Sequence, residues 1–289
     1  MSKVIVSPIR WAGSKRKLLD EMLFMFDKEK QNYVEPFLGS GVVLLNVLNN
    51  GLYRNYYVND NNENLVNFYL ELKDNTTVLL KSLKECVQKY NDFKTIEAKS
   101  DFYYKCRIKY NDNDVGKLEK AILFWFLMKT GFNGVYRVNS KNKFNVPFGK
   151  RDKIVFDEKK MLELSKLIQN VYFFSLDYDN FLKFLEKEDK LNNAFIYCDP
   201  PYIPETKSTE KHVIYSKDMF NHDKFKSDIK NIIEQNNANV MVSMSQSKNS
   251  KILYDDPDFQ KYIIADIMRK VNPKKQIESK EIAYTNYVL

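Results

Sequence analysis

A short motif with two prolines carries the residues best suited to chemistry. It reads Asp199-Pro200-Pro201-Tyr202 and follows five apolar or aromatic residues at 194–198. Neither proline can donate a ladder hydrogen bond, so a strand over 194–198 must end there in a stiff, extended segment. Asp199 and the Pro200 carbonyl could accept both hydrogens of an exocyclic amine while Tyr202 stacks on its planar ring. Taken alone, the aspartate-proline pair is also compatible with a simple turn.

Two further segments are predicted to position ligand-binding residues around this motif. The apolar run before Asp199 predicts a buried parallel strand, and ligands bind at the carboxyl ends of such strands. Earlier in the chain, a strand at Tyr33-Val34 leads through the glycine turn 35–41 into a helix at 42–48. The Gly13-Ser14 turn is predicted to open another helix, with Lys15 beside its amide groups.

A strand predicted at Tyr56-Tyr57-Val58 ends in Asn59-Asp60. Asp60 lies 21 residues after Gly39, close to the spacing at which an acidic residue binds a nucleoside ribose beside a glycine turn. The third glycine of the dinucleotide fingerprint is missing. A single nucleoside without a pyrophosphate therefore fits better than NAD.

Residues 130–149 alternate on both sides of a polar turn and predict a β-hairpin. Basic residues surround it: Arg137, Lys141, Lys143, Lys150, Arg151 and Lys153. Their interleaving with Phe and Asn favours a nucleic-acid contact, with a solvated lysine-rich loop as the alternative. The formal charge of +8, from 46 basic and 38 acidic side chains, also favours a polyanionic partner.

The composition limits the class of protein. A chain of 289 residues with 44% hydrophobic content can build a substantial core. Its three cysteines, at 86, 106 and 198, are widely separated, which indicates neither a disulfide scaffold nor a zinc site. The N-terminal residues lack the apolar core of a secretion signal, and the longest apolar run, 121–128, is too short to span a bilayer. We therefore expect a cytoplasmic protein that does not bind a membrane.

Taken in order, five motifs resemble those of the Dam-type DNA adenine-N6 methyltransferases, which place the AdoMet region first and DPPY last. The motifs are WAGSK, EPFLGSG, the Asn-Asp pair after the second strand, GFNGVYRVN with FNVPFGK, and DPPY. The resemblance extends from Trp11 to Tyr287. It implies an α/β, Rossmann-like AdoMet-dependent methyltransferase fold with an inserted, mainly helical target-recognition domain. The catalytic domain would comprise 1–64 and 157–289, and the recognition domain 65–156, with its DNA-reading hairpin at about 130–149.

The same resemblance implies roles for individual side chains. Those that hold the flipped adenine would be Asp199, Pro200, Pro201 and Tyr202. The AdoMet pocket would contain Trp11, Lys15, Glu35, Phe37, Gly39, Gly41, Asp60 and Asp199. The DNA contacts would come from Arg10, Phe132, Asn133, Arg137, Asn139, Lys141 and Lys143. The reaction needs no metal, because the methyl group of AdoMet is already electrophilic.

The expected function is methyl transfer from AdoMet to N6 of adenine in duplex DNA, at a site with a GA step such as GATC or a longer palindrome built on it. Methylation of N4 in cytosine or of adenine in RNA stays open, as does a catalytically silent DNA- or AdoMet-binding protein. Methylation at cytosine C5 is disfavoured, since its thiolate usually follows a proline and none of the three cysteines does. Met244 departs from the family pattern, in which asparagine is usual.

Duplex DNA is the expected partner, with a restriction endonuclease that acts separately as a further candidate. The protein is expected to be a monomer or weak dimer. The polar segment Thr206–Phe220, which contains His212, is predicted to form a loop over the site.

Overall fold

The computed structural model describes residues 3–203, 220–272 and 275–289. Seven strands occur in these parts of the chain: β1 Asn32–Glu35, β2 Asn55–Asn59, β3 Val171–Phe174, β4 Ala194–Cys198, β5 Asn239–Ser245, β6 Gln260–Asn272 and β7 Lys275–Thr285. They form one mixed sheet in the order β3-β2-β1-β4-β5-β7-β6. This arrangement is consistent with the predicted Rossmann-like α/β fold.

Ten α-helices alternate with the strands or follow one another in the described residues. They are α1 Leu19–Met25, α2 Val42–Asn49, α3 Glu63–Asp74, α4 Thr76–Asp92, α5 Ile96–Tyr110, α6 Lys117–Thr130, α7 Glu158–Leu167, α8 Tyr178–Lys187, α9 His222–Gln235 and α10 Lys248–Tyr254. Short 3₁₀ turns cover Lys15–Leu18 and Phe132–Gly134. Among the helices that the structure describes, none has the length and apolar character needed to cross a bilayer.

The chain divides into two compact units. The first comprises Met1–Ser14, Gly39–Asn49 and Asn62–Ser175, and the second comprises Lys15–Leu38, Asn50–Asn61 and Leu176–Leu289. Helices α2–α7 belong to the first unit, and β1, β2 and β4–β7 to the second. The domain boundaries drawn from the sequence, at 64/65 and 156/157, stay a prediction.

In the second unit, β4 lies between β1 and β5 and runs parallel to both. All five of its side chains are buried, which explains why its sequence is apolar throughout and confirms the predicted parallel strand. Strand β2 runs parallel to β1, with Glu35 opposite Val58. The carboxyl ends of β1, β2 and β4 therefore reach the same edge of the sheet.

The last part of the sheet is a pair of long antiparallel strands. Strand β7 pairs with β5 on one side and with β6 on the other, so that Glu281 lies opposite both Ser245 and Ala265. It ends at Thr285. The loop predicted at Thr206–Phe220 lies outside the described residues, apart from Phe220.

Helix α6 forms the centre of the first unit. Its residues from Leu123 to Met128 are all buried, because the helix is apolar on every face and is surrounded by other helices. Tyr103 from α5 and Tyr90 from α4 are also completely buried. The apolar residues of these helices thus form the core of the first unit.

The segment 130–149 of the first unit folds back on itself in an antiparallel manner. Two isolated bridges, Gly131 with Phe148 and Val138 with Phe144, join its halves. It is less regular than the predicted β-hairpin, because Asn133 has a left-handed φ of 54° and Pro147 has no N–H for a ladder.

Candidate active site

The carboxylate of Asp199 is held at the tip of β4 with 22% of its side chain exposed. Lys15 is buried and forms an ion pair with Oδ2 of Asp199. The Ser243 hydroxyl on β5 donates to Oδ1 over 3.4 Å and bonds to the Tyr197 hydroxyl over 2.8 Å. Both carboxylate oxygens thus have a protein partner, which fixes the orientation of the side chain before any ligand binds.

A second carboxylate lies close to this ion pair. Glu281 on β7 has a fully buried side chain, and its Oε1 lies 3.7 Å from the Lys15 ammonium. The same oxygen accepts a hydrogen bond of 2.6 Å from the hydroxyl of Tyr202. Lys15 also lies over the Tyr202 ring, 5.1 Å from its centroid. Lys15, Asp199, Tyr202 and Glu281, which we call the strand-tip cluster, therefore form one connected network.

The charges in the strand-tip cluster control its protonation. Burial alone would lower the pKa of Lys15, but the neighbouring Asp199, Tyr202 and Glu281 outweigh that effect and raise the pKa well above its ordinary value. Burial raises the pKa of Asp199, and the positive charge of Lys15 limits the rise. Lys15 is therefore a charged ammonium at neutral pH.

Two more acidic residues lie at the same sheet edge: Glu35 is the last residue of β1, and Asp60 follows β2. Glu35 is buried and accepts a hydrogen bond of 2.8 Å from the Tyr33 hydroxyl. Burial, together with the charges of Asp199 and Asp60, raises the pKa of Glu35 well above its ordinary value. Asp60 is 9% exposed and comes directly after β2. The register of the parallel strands thus brings Glu35, Asp60 and Asp199 to one edge of the sheet.

The loop after β1 is anchored by Asn59, the last residue of β2. Its side-chain amide donates to the carbonyls of Pro36 and Leu176, at 3.1 and 3.0 Å. Phe37, the next residue in this loop, lies in an aromatic cluster with Tyr178 and Phe225, with ring centroids 5.6 Å apart in each pair. These contacts hold the loop in place, and a contact of Phe37 with a cofactor stays a prediction.

In the first unit, the glycine turn leaves little room for a side chain at either Gly39 or Gly41. A Cβ atom at Gly39 would lie 3.3 Å from the indole ring of Trp11, and one at Gly41 would lie 2.5 Å from the Tyr69 hydroxyl. Both glycines also have positive φ values, 50° and 70°, which disfavour other residues. Trp11 itself stacks on Tyr136 with centroids 5.6 Å apart.

A comparison with known families identifies the arrangement. The sequence profile of the D12 class N6 adenine-specific DNA methyltransferases matches residues 11–271. The chain belongs to this family. Its substrate is accordingly DNA, and the family implies a methyl donor of the AdoMet type.

Individual relatives agree with the family assignment. The methyltransferase is 33% identical to the Type II methyltransferase M.MjaIII of Methanocaldococcus jannaschii over 74% of this chain and 75% of the relative. It is 29% identical to the DNA adenine methylase of Haemophilus influenzae over 95% of this chain and 91% of the relative. The Type II methyltransferase M1.LlaDCHI of Lactococcus lactis is also 29% identical, over 99% and 97% of the two chains.

The residues expected to contact DNA lie together in the first unit of the methyltransferase. Phe132 is 53% exposed and precedes the left-handed Asn133. Exposed Arg137 donates through Nε to the Asn145 side chain over 2.9 Å and through Nη2 to the Asn145 carbonyl over 3.5 Å, and these bonds orient the guanidinium group. This geometry suits a group that reads a base edge.

The polar turn of this segment is built by three of the other predicted DNA-binding residues. The Asn139 side-chain oxygen accepts hydrogen bonds from the backbone of Lys141 and of Lys143, both 3.0 Å long. The Lys143 ammonium donates to the Asn113 side chain over 3.1 Å. Asn139 and Lys143 thus have structural roles in the turn, whereas Lys141 has an exposed side chain.

Arg10 packs against the same segment, since a Cβ atom at Gly134 would lie 3.1 Å from its side chain. Burial and the nearby Arg151 lower the pKa of Arg10, and burial and Arg10 lower the pKa of Lys129. Like charges therefore lie close together, as in surfaces that bind phosphate groups.

Sequence reasoning missed four residues of these sites: Ser243, Glu281, Asn59 and Lys129. Ser243 and Glu281 lie far from DPPY in the sequence. Ser243 is a polar residue in a mostly apolar strand, whereas Glu281 lies among other polar residues of β7 and has no local signal. Asn59 lies beside Asp60 in the sequence, but nothing local indicates that its side chain anchors the loop after β1. Lys129 ends an apolar helix, where a basic residue is ordinary.

Proposed function

We propose that this methyltransferase transfers the methyl group of AdoMet to N6 of an adenine flipped out of duplex DNA. The observation that carries the proposal is the fixed carboxylate of Asp199 at the tip of β4, with Tyr202 beside it in the strand-tip cluster. An acceptor and an aromatic ring that are held in place suit a planar base with an exocyclic amine.

The acidic residues at the sheet edge fit AdoMet by their chemistry. AdoMet carries a sulfonium charge, an ammonium charge and a ribose with two hydroxyl groups, and carboxylates can bind all of these. In this proposal Asp60 accepts the ribose hydroxyls and Asp199 contributes negative charge, while Glu35 lies beside them at the same sheet edge. Family resemblance adds Trp11, Lys15, Phe37, Gly39 and Gly41 as further cofactor contacts. When bound, AdoMet supplies an electrophilic methyl group.

The role of the protein is to make the adenine nitrogen available. The lone pair of N6 is delocalised into the ring. It becomes a better nucleophile when both amino hydrogens are bound by acceptors that hold the lone pair out of conjugation with the ring. Asp199 and the Pro200 carbonyl accept those hydrogens, and Tyr202 stacks on the base beside Pro201. N6 would take the methyl group as its bond to the sulfur of AdoMet breaks and S-adenosylhomocysteine leaves. The carboxylate of Asp199 would stabilise the positive charge that develops on N6 until one of its protons is lost to solvent.

We further propose that residues 65–156 form the target-recognition domain and that their Arg137 reads a guanine within a GA step, as in GATC. The exposed guanidinium of Arg137 and the basic Arg10, Lys129 and Lys141 support this assignment. The protein would act in the cytoplasm as a monomer or weak dimer, separately from any restriction endonuclease. Gel filtration with and without a DNA duplex tests the oligomeric state.

The decisive experiment incubates the protein with AdoMet and unmethylated duplex DNA, followed by nucleoside mass spectrometry and modification-aware sequencing. We expect N6-methyladenine from the wild-type protein and none from Asp199→Ala. Asp179→Ala is the matched control, because Asp179 is a carboxylate of the same unit that pairs with Lys224 on the helices. It should retain the wild-type product.

Three outcomes would contradict the proposal. Formation of only N4-methylcytosine would assign another base, and methylation of RNA but not DNA would assign another substrate. AdoMet binding without methylation of any nucleic acid would indicate a silent binding protein.

A further inference from the structure

Glu281 is an unusual residue for its place in the sheet. It lies in β7, which is hydrogen-bonded to strands on both sides. The residues that follow it, Ile282, Ala283 and Tyr284, are all buried, and the Glu281 side chain is itself completely buried. A carboxylate in such a position is unfavourable unless it is paired and hydrogen-bonded.

The groups that bind Glu281 belong to the proposed catalytic machinery. Its Oε1 accepts the Tyr202 hydroxyl hydrogen over 2.6 Å and lies 3.7 Å from the Lys15 ammonium. Lys15 in turn is paired with Asp199. A buried charge in β7 thus contacts both the aromatic residue of DPPY and the lysine that neutralises its aspartate.

We propose that Glu281 is a positioning residue for methyl transfer, which orients the Tyr202 ring and shares the Lys15 ammonium with Asp199. The inference rests on the proposed function, because it assumes that Asp199 and Tyr202 hold the target adenine. Glu281 does not touch the reacting atoms in this assignment. It acts through its two neighbours.

The effect on Tyr202 is geometric. The backbone fixes one end of this side chain, and the hydrogen bond to Glu281 fixes the hydroxyl at the other end. Both ends of the phenol ring are then held, and its plane is set before the base arrives. Stacking is favourable only over a narrow range of ring positions, so this preorganisation promotes productive binding of the flipped adenine.

The effect on Asp199 is electrostatic. One ammonium lies between two carboxylates, so the strand-tip cluster retains a negative charge that a simple Lys15–Asp199 pair would lack. Negative charge at Asp199 is what stabilises the positive charge developing on N6. Without Glu281, Lys15 would neutralise Asp199 more completely and the carboxylate would be a weaker acceptor.

Glu281→Gln tests the proposal, because it keeps the shape of the side chain and an oxygen acceptor but removes the charge. We expect the single-turnover rate constant for adenine methylation to fall about tenfold, with the Kd of AdoMet and the KM of DNA nearly unchanged. Tyr202→Phe keeps the ring and removes the hydroxyl, and it should slow methylation about fivefold. The double variant should be slower than Glu281→Gln by less than this factor, because the two changes affect one hydrogen bond.

Tyr284→Phe is the matched control. It removes another tyrosine–carboxylate hydrogen bond of β7, from Tyr284 to Asp255 over 3.1 Å, and should leave the rate constant at the wild-type value. A wild-type rate in Glu281→Gln would overturn the proposal, and so would an equal loss in Tyr284→Phe. If Glu281→Gln does not fold, a wild-type rate in Tyr202→Phe would overturn it equally. Failure of the wild-type protein to make N6-methyladenine would instead contradict the proposed function.

Discussion

Lys15 forms an ion pair with Asp199, although 184 positions separate the two residues in the sequence. The pair joins the WAGSK motif to DPPY, so two motifs that the sequence presents separately form one electrostatic unit. The ammonium compensates a carboxylate that burial would otherwise favour in its neutral form. Lys15 therefore helps to keep Asp199 ionised, which is the form that can accept both a hydrogen bond and a positive charge.

Asp60→Ala should weaken AdoMet binding. Asp60 is nearly buried at the end of β2, and its loss would remove charge-assisted hydrogen bonds to the ribose. We expect the Kd to rise about tenfold or more, measured by isothermal titration calorimetry. Asp20→Ala, at an exposed position on α1, is the control and should bind as the wild type does. An unchanged Kd in folded Asp60→Ala would remove Asp60 from the cofactor site.

Arg137→Ala should relax the preference for one base of the recognition site. A bidentate arginine–guanine contact discriminates by roughly 1–3 kcal/mol against a wrong base. Methylation rates on duplexes with single substitutions around the adenine measure this loss. Lys141→Ala is the contrasting variant, because a phosphate contact should weaken binding to all sequences alike and reduce the salt slope by about one unit. Full retention of base preference in Arg137→Ala would show that another residue reads the guanine.

Gly41→Ala should destabilise the protein more than Gly51→Ala. Both glycines have positive φ values, 70° and 59°, but a Cβ atom would lie 2.5 Å from the Tyr69 hydroxyl at Gly41 and would meet nothing within 4 Å at Gly51. The free energy of unfolding should fall by about 1 kcal/mol in Gly51→Ala and by about 3 kcal/mol in Gly41→Ala. Urea titration measures both. Equal losses would mean that the turn relaxes away from Tyr69.

Acidification should destabilise the protein through His222. Burial lowers the pKa of His222 to about 4, against the opposing charge of Asp223 and a hydrogen bond to the Pro201 carbonyl. The Tyr254 hydroxyl lies 3.4 Å from Nδ1. Because the folded pKa is depressed below the unfolded value of about 6.5, this contribution is fully present above pH 6.5 and is lost as the pH falls towards 4.

The histidine contribution should amount to about 1–3 kcal/mol over that interval. The measurement is the free energy of unfolding of the wild type and of His222→Gln at several pH values. The difference between the two proteins isolates His222 from carboxylates that titrate at lower pH, such as Asp256 with its lowered pKa. A difference that does not change between pH 7 and 4 would contradict the assignment.

The sequence allowed the parallel strands and the residues at their ends to be predicted, because both leave local patterns. The apolar run before Asp199 and the strand before Asp60 were enough to predict that both residues lie at the carboxyl ends of strands. The residues of other strands that contact Lys15 and Asp199 could not be predicted in this way. Glu281 and Ser243 depend on which strand lies beside which, and the order β4-β5-β7 is set by packing over the whole unit. The irregular segment 130–149 was predicted as a regular hairpin because alternation does not reveal left-handed residues such as Asn133.

The strand-tip cluster also has a consequence for folding. It joins Lys15, near the start of the sequence, to Glu281 in the last strand, and contacts between such distant segments require the largest loops to close. A partly folded chain could form the β1–β2 pair and its adjacent turns before Glu281 is in place to orient Tyr202 beside Asp199. We expect methylation activity to return only with the final phase of refolding, after most helical structure has been regained.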